Sequence, residues 1–508
     1  MKRSSSITKD INGGRVFLLL LLFAFALYLF ITAGFPAFAA VCMLPMVVIT
    51  IIFAFRKQSS LFWILFIVNY FLHFAGRHHY LPNGIPMSLY NEGIEVMLLI
   101  MAVVMAPSET KFSKAVNPML LAVLLWCGLG FIELFNDTCG LGYNVGAWFA
   151  GFRLLCIQFI WTLLVYTVYI NSPQKIYTLL KVWAFLALFS AYWTFKQKNF
   201  GFTQAENVWL QTAGRTHILQ GGTLIRYFST FSDAANYGCN AAATAVLFLV
   251  VGITSRIKKD KIFFILTSIV VAWGMFQSGT RTAIFCLAIG FVVFIVLSKS
   301  FKIAIPSFAI FAIFAFILVF TNIGNGNQQI RRMRSAFNSE DASTATREIN
   351  QAVMKKYLAD APWGIGIGTG MENVPANNKF RKLSTMPPDS EYVFIWIRTG
   401  AIGVSIFAIA MVIMFLGACR VVFFEIKNRA LMGIGAGFCS AFAAMQLGGI
   451  GNQVLMQYPN GLLFFGALAV VYILPYIEPE WEKFELERLN KEKEKQEKKL
   501  AKKLESRV

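Results

Sequence analysis

KIFFILTSIVVAWGMFQ (residues 261–277), the linker SGT (278–280) and RTAIFCLAIGFVVFIVL (281–297) together decide the fold. Each run is long and apolar enough to approach the roughly 30 Å hydrocarbon core of a bilayer. No water is available there to satisfy peptide groups, so both runs must be helical. The pair reads as a helical hairpin turning at Ser278-Gly279-Thr280-Arg281-Thr282. Working outward, comparable runs recur at roughly 16–35, 37–55, 61–75, 92–106, 118–135, 147–170, 176–195, 236–254, 303–321, 391–417, 430–447 and 460–477. The expected fold class is therefore all-α integral membrane, with about fourteen transmembrane helices.

Composition agrees. Of the 508 residues 57% are hydrophobic and only 14% charged, where soluble domains carry about 25%. The run Val16 to Phe35 follows four basic residues, and Ala37-Phe38-Ala39 resembles a cleavage site. The run exceeds a signal-peptide core of roughly 7–15 residues, so it is read as a retained first helix. The net charge of +20 would point to nucleic acid in a soluble chain, but here its distribution sets orientation. With the N-terminus in the cytoplasm, short cytoplasmic segments hold 19 Lys and Arg against 8 outside, as the positive-inside rule requires. Both termini are expected to be cytoplasmic, and nucleic acid is not expected as a partner. Eight cysteines, mostly inside helices and without CxxC or Cys/His spacing, indicate neither a disulfide framework nor a zinc site.

The chain divides into a membrane domain, 1–477, and a charged cytoplasmic helical tail, 478–508. No internal repeat is evident, which weighs against many transporter folds. Two outer loops are long, 196–235 and 322–388, and loops of that length are usually functional or disordered. The second holds nine Lys/Arg against five Asp/Glu, suiting an anionic ligand at the membrane surface. It also contains an amphipathic helix expected over Thr346 to Leu358, with Ile349, Val353 and Tyr357 along one face. The Glu/Lys tail has i,i+4 opposite-charge pairs that favour a solvated helix, and Trp481 and Phe484 allow contact with membrane lipids.

Arginine in or beside a transmembrane helix is a functional candidate by default. Arg153, Arg226, Arg281 and Arg398 qualify. Arg226 precedes one helix and Arg281 lies in the hairpin turn, so both should sit at the outer membrane boundary. There two guanidinium forks can hold a lipid pyrophosphate, or the side chains can simply snorkel. Arg153 is expected to pair with Glu133 or Glu95, and Arg398, two turns into its helix, fits a structural role as well. The run Gly364-Ile365-Gly366-Ile367-Gly368-Thr369-Gly370 fails as a nucleotide loop because spacing, preceding strand and lysine are all wrong. Its glycines instead allow a tight backbone path. His78-His79 lacks a third metal ligand, and no metal or cofactor is expected. Asp389 is a carboxylate where the long loop returns to the membrane, open to reading either as a helix cap or as an acid/base group.

Three stretches together resemble the O-antigen ligase and polymerase superfamily of bacterial membrane glycosyltransferases. They are Arg226 through Asn236, the Ser278–Thr282 turn, and Arg347 with Ala361-Pro362-Trp363-Gly364-Ile365-Gly366 and the segment after it. Asp389-Ser390, nine residues to Thr399, then Gly400-Ala401-Ile402-Gly403 fit the spacing of the ligase signature, with Asp in place of its His. That departure looks more like repeat-unit polymerases. The resemblance implies metal-independent, inverting transfer of an undecaprenyl-diphosphate-linked glycan at the periplasmic face of a bacterial inner membrane. The acceptor would be another glycan or, for a ligase, lipid A-core. Asp389 is the implied catalytic residue and Arg226 and Arg281 the implied pyrophosphate ligands, with Arg347, Glu391 and His217 in support. A lipid-linked oligosaccharide flippase is the rival from another class and would need no acid/base group.

Overall fold

The computed structural model describes residues 58–81, 86–104, 112–212, 216–219, 225–299, 301–326, 328–334 and 342–505, together with helical positions 21, 24, 25, 28 and 32. The chain divides into two compact units, residues 1–63 and 64–508. The expected spans at 16–35 and 37–55 lie outside the described residues apart from those five positions.

Twelve long helices run along the described chain: α1 Gln58–Arg77, α2 Ser88–Val104, α3 Pro118–Ile132, α4 Val145–Tyr169, α5 Pro173–Phe200, α6 Ala234–Thr254, α7 Lys258–Gln277, α8 Thr282–Leu297, α9 Phe301–Phe320, α10 Glu391–Glu425, α11 Arg429–Gly451 and α12 Gly466–Glu505. Nine helices among the described residues are long and apolar enough to cross a membrane, and α8 is a shorter apolar helix. The protein is thus an all-α, multi-pass membrane protein. Because successive helices reverse direction, the described residues 136–144, 201–212, 225–233, 278–281, 321–326, 328–334, 342–390 and 452–460 gather at one end, the loop end. The turns 170–172, 255–257 and 426–428 gather at the other, with the tail.

α6 and α11 form the buried centre. Small residues allow close packing without a large apolar driving force: Ala241, Ala242, Ala243 and Ala245 of α6 are buried, as are Gly433, Gly435 and Gly437 of α11. Polar side chains buried here bond one another, because nothing else in the bilayer will satisfy them. Asn460 donates to Asn236 at 2.6 Å and accepts from Asn240 at 2.8 Å.

Two helices depart from regularity. α4 widens into a π turn at Arg153–Ile157. Such a turn disturbs the backbone ladder, and the Trp126 indole donates to the Leu155 carbonyl at 2.6 Å. α10 is broken at Gly400, whose φ of 66° and ψ of −168° are not helical. Residues fifteen apart in a continuous helix would lie about 22 Å apart, yet the rings of Tyr392 and Phe407 are 5.6 Å apart. The segment from Glu391 to Thr399 therefore folds back sharply beside the span that follows Gly400. The expected span over 391–417 lies within this apolar stretch, and nothing in the sequence signals its break at Gly400. Asp389 immediately precedes Ser390, the N-cap of α10, which bonds the Gly449 carbonyl near the end of α11.

The amphipathic helix runs Ala342–Leu358. Its buried face is Met354 and Leu358, while Ile349 is 65% exposed. The buried stripe is rotated because its partners are Ala361 and Leu383 of the same loop and Ile397 of α10.

Candidate functional site

The segment 225–233 is held in place before it can hold anything else. Arg77, the last residue of α1, donates to the Ser229 carbonyl at 3.2 Å and to that of Phe231. Its guanidinium lies 4.4 Å from the Phe228 ring and 4.5 Å from that of Trp209. Gln197 donates to the Ser229 carbonyl and accepts from its N–H at 3.0 Å. Ser229 is left-handed, at φ 53°, a conformation that non-glycine residues adopt only when tied down.

So fixed, Arg226 lies in the α7–α8 turn and is buried, with 9% exposure. Its Nε donates to the Ser278 carbonyl at 3.4 Å and one Nη to Thr280 Oγ1 at 3.2 Å. The other Nη has no partner among the described residues. Arg332, from the helix Gln328–Arg334, donates to the Gly279 carbonyl at 2.8 Å. Gly279 is needed here: its φ is +57°, and a Cβ would come within 3.2 Å of Arg332 and 3.7 Å of Arg226. Burial pushes the Arg226 pKa down, Asp233 pulls it back up, and Arg281 and Arg347 push it down further. Arg281 in the turn, and Arg226, Arg332 and Arg347 from outside it, thus bring four arginines to one place. A buried cation beside other cations gains from an anion.

Asp389 belongs to the same end of the molecule. Arg281 precedes Thr282, whose hydroxyl accepts from Asn452 at 3.0 Å. Ser390, which follows Asp389, donates to Gly449 O at 3.0 Å. Both segments therefore flank the last turn of α11. The N-cap of α10 is Ser390, whose Oγ accepts from Val393 N, so Asp389 is not the cap. Its backbone is left-handed, at φ 50°, and among the described residues its carboxylate makes no hydrogen bond.

Glu391 has a different position. It is fully buried, and its Oε2 accepts from the N–H of Leu455 at 2.9 Å and of Met456 at 3.5 Å. It organises the 452–460 loop against α10. The side chain of His217 lies outside the described residues. Arg398 is at the α10 break: its carbonyl accepts from Gly366 N at 2.9 Å, and its guanidinium faces Phe394. Arg153 pairs with Glu92 at 2.5 Å, not with Glu133 or Glu95, because α2, which carries Glu92, packs against α4. His78 bonds the Phe74 carbonyl and Thr203, and no group of three potential metal ligands occurs among the described residues.

Sequence reading missed Arg77 and Arg332. Arg77 closes an apolar run, and nothing local in the sequence sets it apart. Arg332 was one of nine cations in a long loop, with no periodicity to single it out.

No curated protein matches the chain. Residues 266–408 match a family model described as O-Antigen ligase, a stretch that holds Arg281, Arg332, Arg347, the glycine run, Asp389 and the Gly400 break, and leaves Arg226 outside.

Proposed function

We propose that this protein is a member of the O-antigen ligase and polymerase superfamily that transfers polyprenyl-diphosphate-linked glycan, joining repeat units at the periplasmic face of a bacterial inner membrane. The carrying observation is Arg226, buried in the Ser278–Arg281 turn with one Nη open and with Arg281, Arg332 and Arg347 about it. That cluster suits a diphosphate, and the partial family match supports the same reading.

In the proposed step an acceptor sugar hydroxyl attacks the anomeric carbon of the donor. Asp389 takes the hydroxyl proton, a new C–O bond forms, and the bond from the anomeric carbon to the diphosphate oxygen breaks with inversion. The polyprenyl diphosphate leaves with the electron pair, its charge balanced by the arginines. A positioned base typically contributes about 10²–10⁴-fold. The periplasmic assignment rests on the Lys/Arg bias of the short segments.

The test is a deletion strain whose surface glycan is examined. Loss of the length ladder, with single repeat units still attached, supports polymerisation. Loss of every attached unit, while lipid-linked polymer accumulates, replaces it with ligation to lipid A-core or another acceptor. Unchanged polymer length with lipid-linked units trapped inside overturns both in favour of a flippase.

A further inference from the structure

We infer that a second site, distinct from the arginine cluster, holds a hydroxyl-rich sugar of the glycan chain in a cavity of about 310 Å³ between the 133–144 turn, the start of α4 and the glycine run. The inference rests on the glycosyl-transfer reading for the identity of the glycan, but the cavity stands on its own geometry.

The glycine run builds it. The N–H groups of Ile365 and Gly366 donate to the carbonyls of Ile397 and Arg398 at 3.0 and 2.9 Å, the carbonyls that the Gly400 break releases. A Cβ on Gly364 would lie 2.5 Å from Gly400 N, and one on Gly368 would lie 1.7 Å from Ala147 O. Backbone thus packs directly on α10 at one side and on α4 at the other, with no side chain between.

The lining chemistry selects the ligand. No Lys or Arg is among the described lining residues, so a phosphate has nothing to pair with there. Glu133 is 3% exposed; its Oε2 accepts from Asn136 at 2.8 Å, the Ile367 N–H faces the carboxylate, and its Oε1 has no partner among the described residues. A buried acceptor left unpaired costs free energy, which a ligand hydroxyl would recover. Around it stand further groups with capacity to spare. Asp137 uses only Oδ1, for the N–H groups of Leu141 and Gly142. Asn144 and Asn373 use only Oδ1, for Ala147 N and Gly370 N, which leaves both amide NH₂ groups without a partner among the described residues. The Thr369 hydroxyl is likewise open. Acceptors, donors and a hydroxyl that can be either, with no cation, match a polyol whose every group both donates and accepts.

The position fits as well. Asp389 and Arg398 are nine residues apart, about 13 Å along a helix, and Arg398 holds the glycine run. A chain reacting at Asp389 can therefore reach the cavity with sugars removed from the scissile bond. Remote binding of that kind is what orients a substrate for reaction.

The test uses the full-length protein in detergent micelles and, as probe, the host's repeat-unit oligosaccharide released from its lipid carrier by mild acid. Saturation-transfer NMR should detect binding to the wild type. Glu133→Gln and Thr369→Val, both near-isosteric, should each weaken it about tenfold, in line with loss of one hydrogen bond. Asp389→Asn should bind as the wild type does while turning over about 10²–10⁴-fold more slowly. With lipid-linked donor and acceptor varied separately, the partner whose KM rises in Glu133→Gln identifies the chain that occupies the cavity. No binding to wild type, or equal binding by both cavity variants, overturns the site. Full turnover by Asp389→Asn with weakened binding by Glu133→Gln would leave the site standing and remove the catalytic reading.

Discussion

Asp389 combines a left-handed backbone at φ 50° with a carboxylate that makes no hydrogen bond among the described residues. Asparagine is among the residues that tolerate this conformation best, and Ser390 carries the helix cap. Asp389→Asn should therefore leave thermal stability unchanged and lower polymer formation by about 10²–10⁴-fold; an active variant at normal expression would remove Asp389 from the proposal. Arg281→Ala should reduce turnover by about one to two orders of magnitude, the worth of a hydrogen bond to a charged group. Lysine should rescue poorly, because it keeps the charge and loses the fork. Arg226 offers a readout that needs no catalysis. Burial and its arginine neighbours hold its pKa down, so an anion that favours the charged form should stabilise the fold. Inorganic pyrophosphate should raise the Tm of the wild type and not that of Arg226→Ala.

At the scale of elements, the break in α10 does what a continuous span cannot. It frees the carbonyls of Ile397 and Arg398 for the glycine run and turns Glu391–Thr399 back toward α11. Alanine at Gly400 would place a Cβ 1.9 Å from Pro362 O on a backbone of φ +66°. Gly400→Ala should therefore undock the loop, with limited proteolysis within 342–388 accelerating well before the helices unfold. Unchanged cleavage would show that the loop does not depend on the break. The glycine run was legible as a tight backbone path, but its partners were not. They come from helices more than two hundred positions earlier and about thirty later, and spacing within the run says nothing about them.

Across the whole molecule, the tail is more than a solvated extension. α12 runs on through residue 477, and Arg488 pairs with Asp260 at 2.8 Å while its guanidinium lies 3.8 Å from the Tyr177 ring. Glu485 accepts from Asn428 at 3.0 Å. These contacts tie the tail to the short turns at its own end of the bundle. Cysteine labelling checks the proposed orientation: on a cysteine-free background, single cysteines at Asn325 and Asn377 should label from outside intact inner membranes. Those at Arg256 and Asn490 should label only after permeabilisation, and the reverse pattern would overturn the periplasmic site.

The membrane class and the helical elements were legible because they depend on local quantities, and the same quantities single out Arg226, Arg281 and Asp389 for the proposed site. Run length against bilayer thickness, the cost of charge near hydrocarbon and turn composition are all properties of neighbouring residues. Which groups meet was decided only by tertiary structure. Arg153 found Glu92 rather than Glu133 or Glu95, Arg332 joined the Ser278–Arg281 turn, and Ser390 took the cap that Asp389 was offered. Buried polar groups must be paired where water is absent, and the partner that satisfies each is set by which helices lie side by side, a long-range fact that no local pattern encodes.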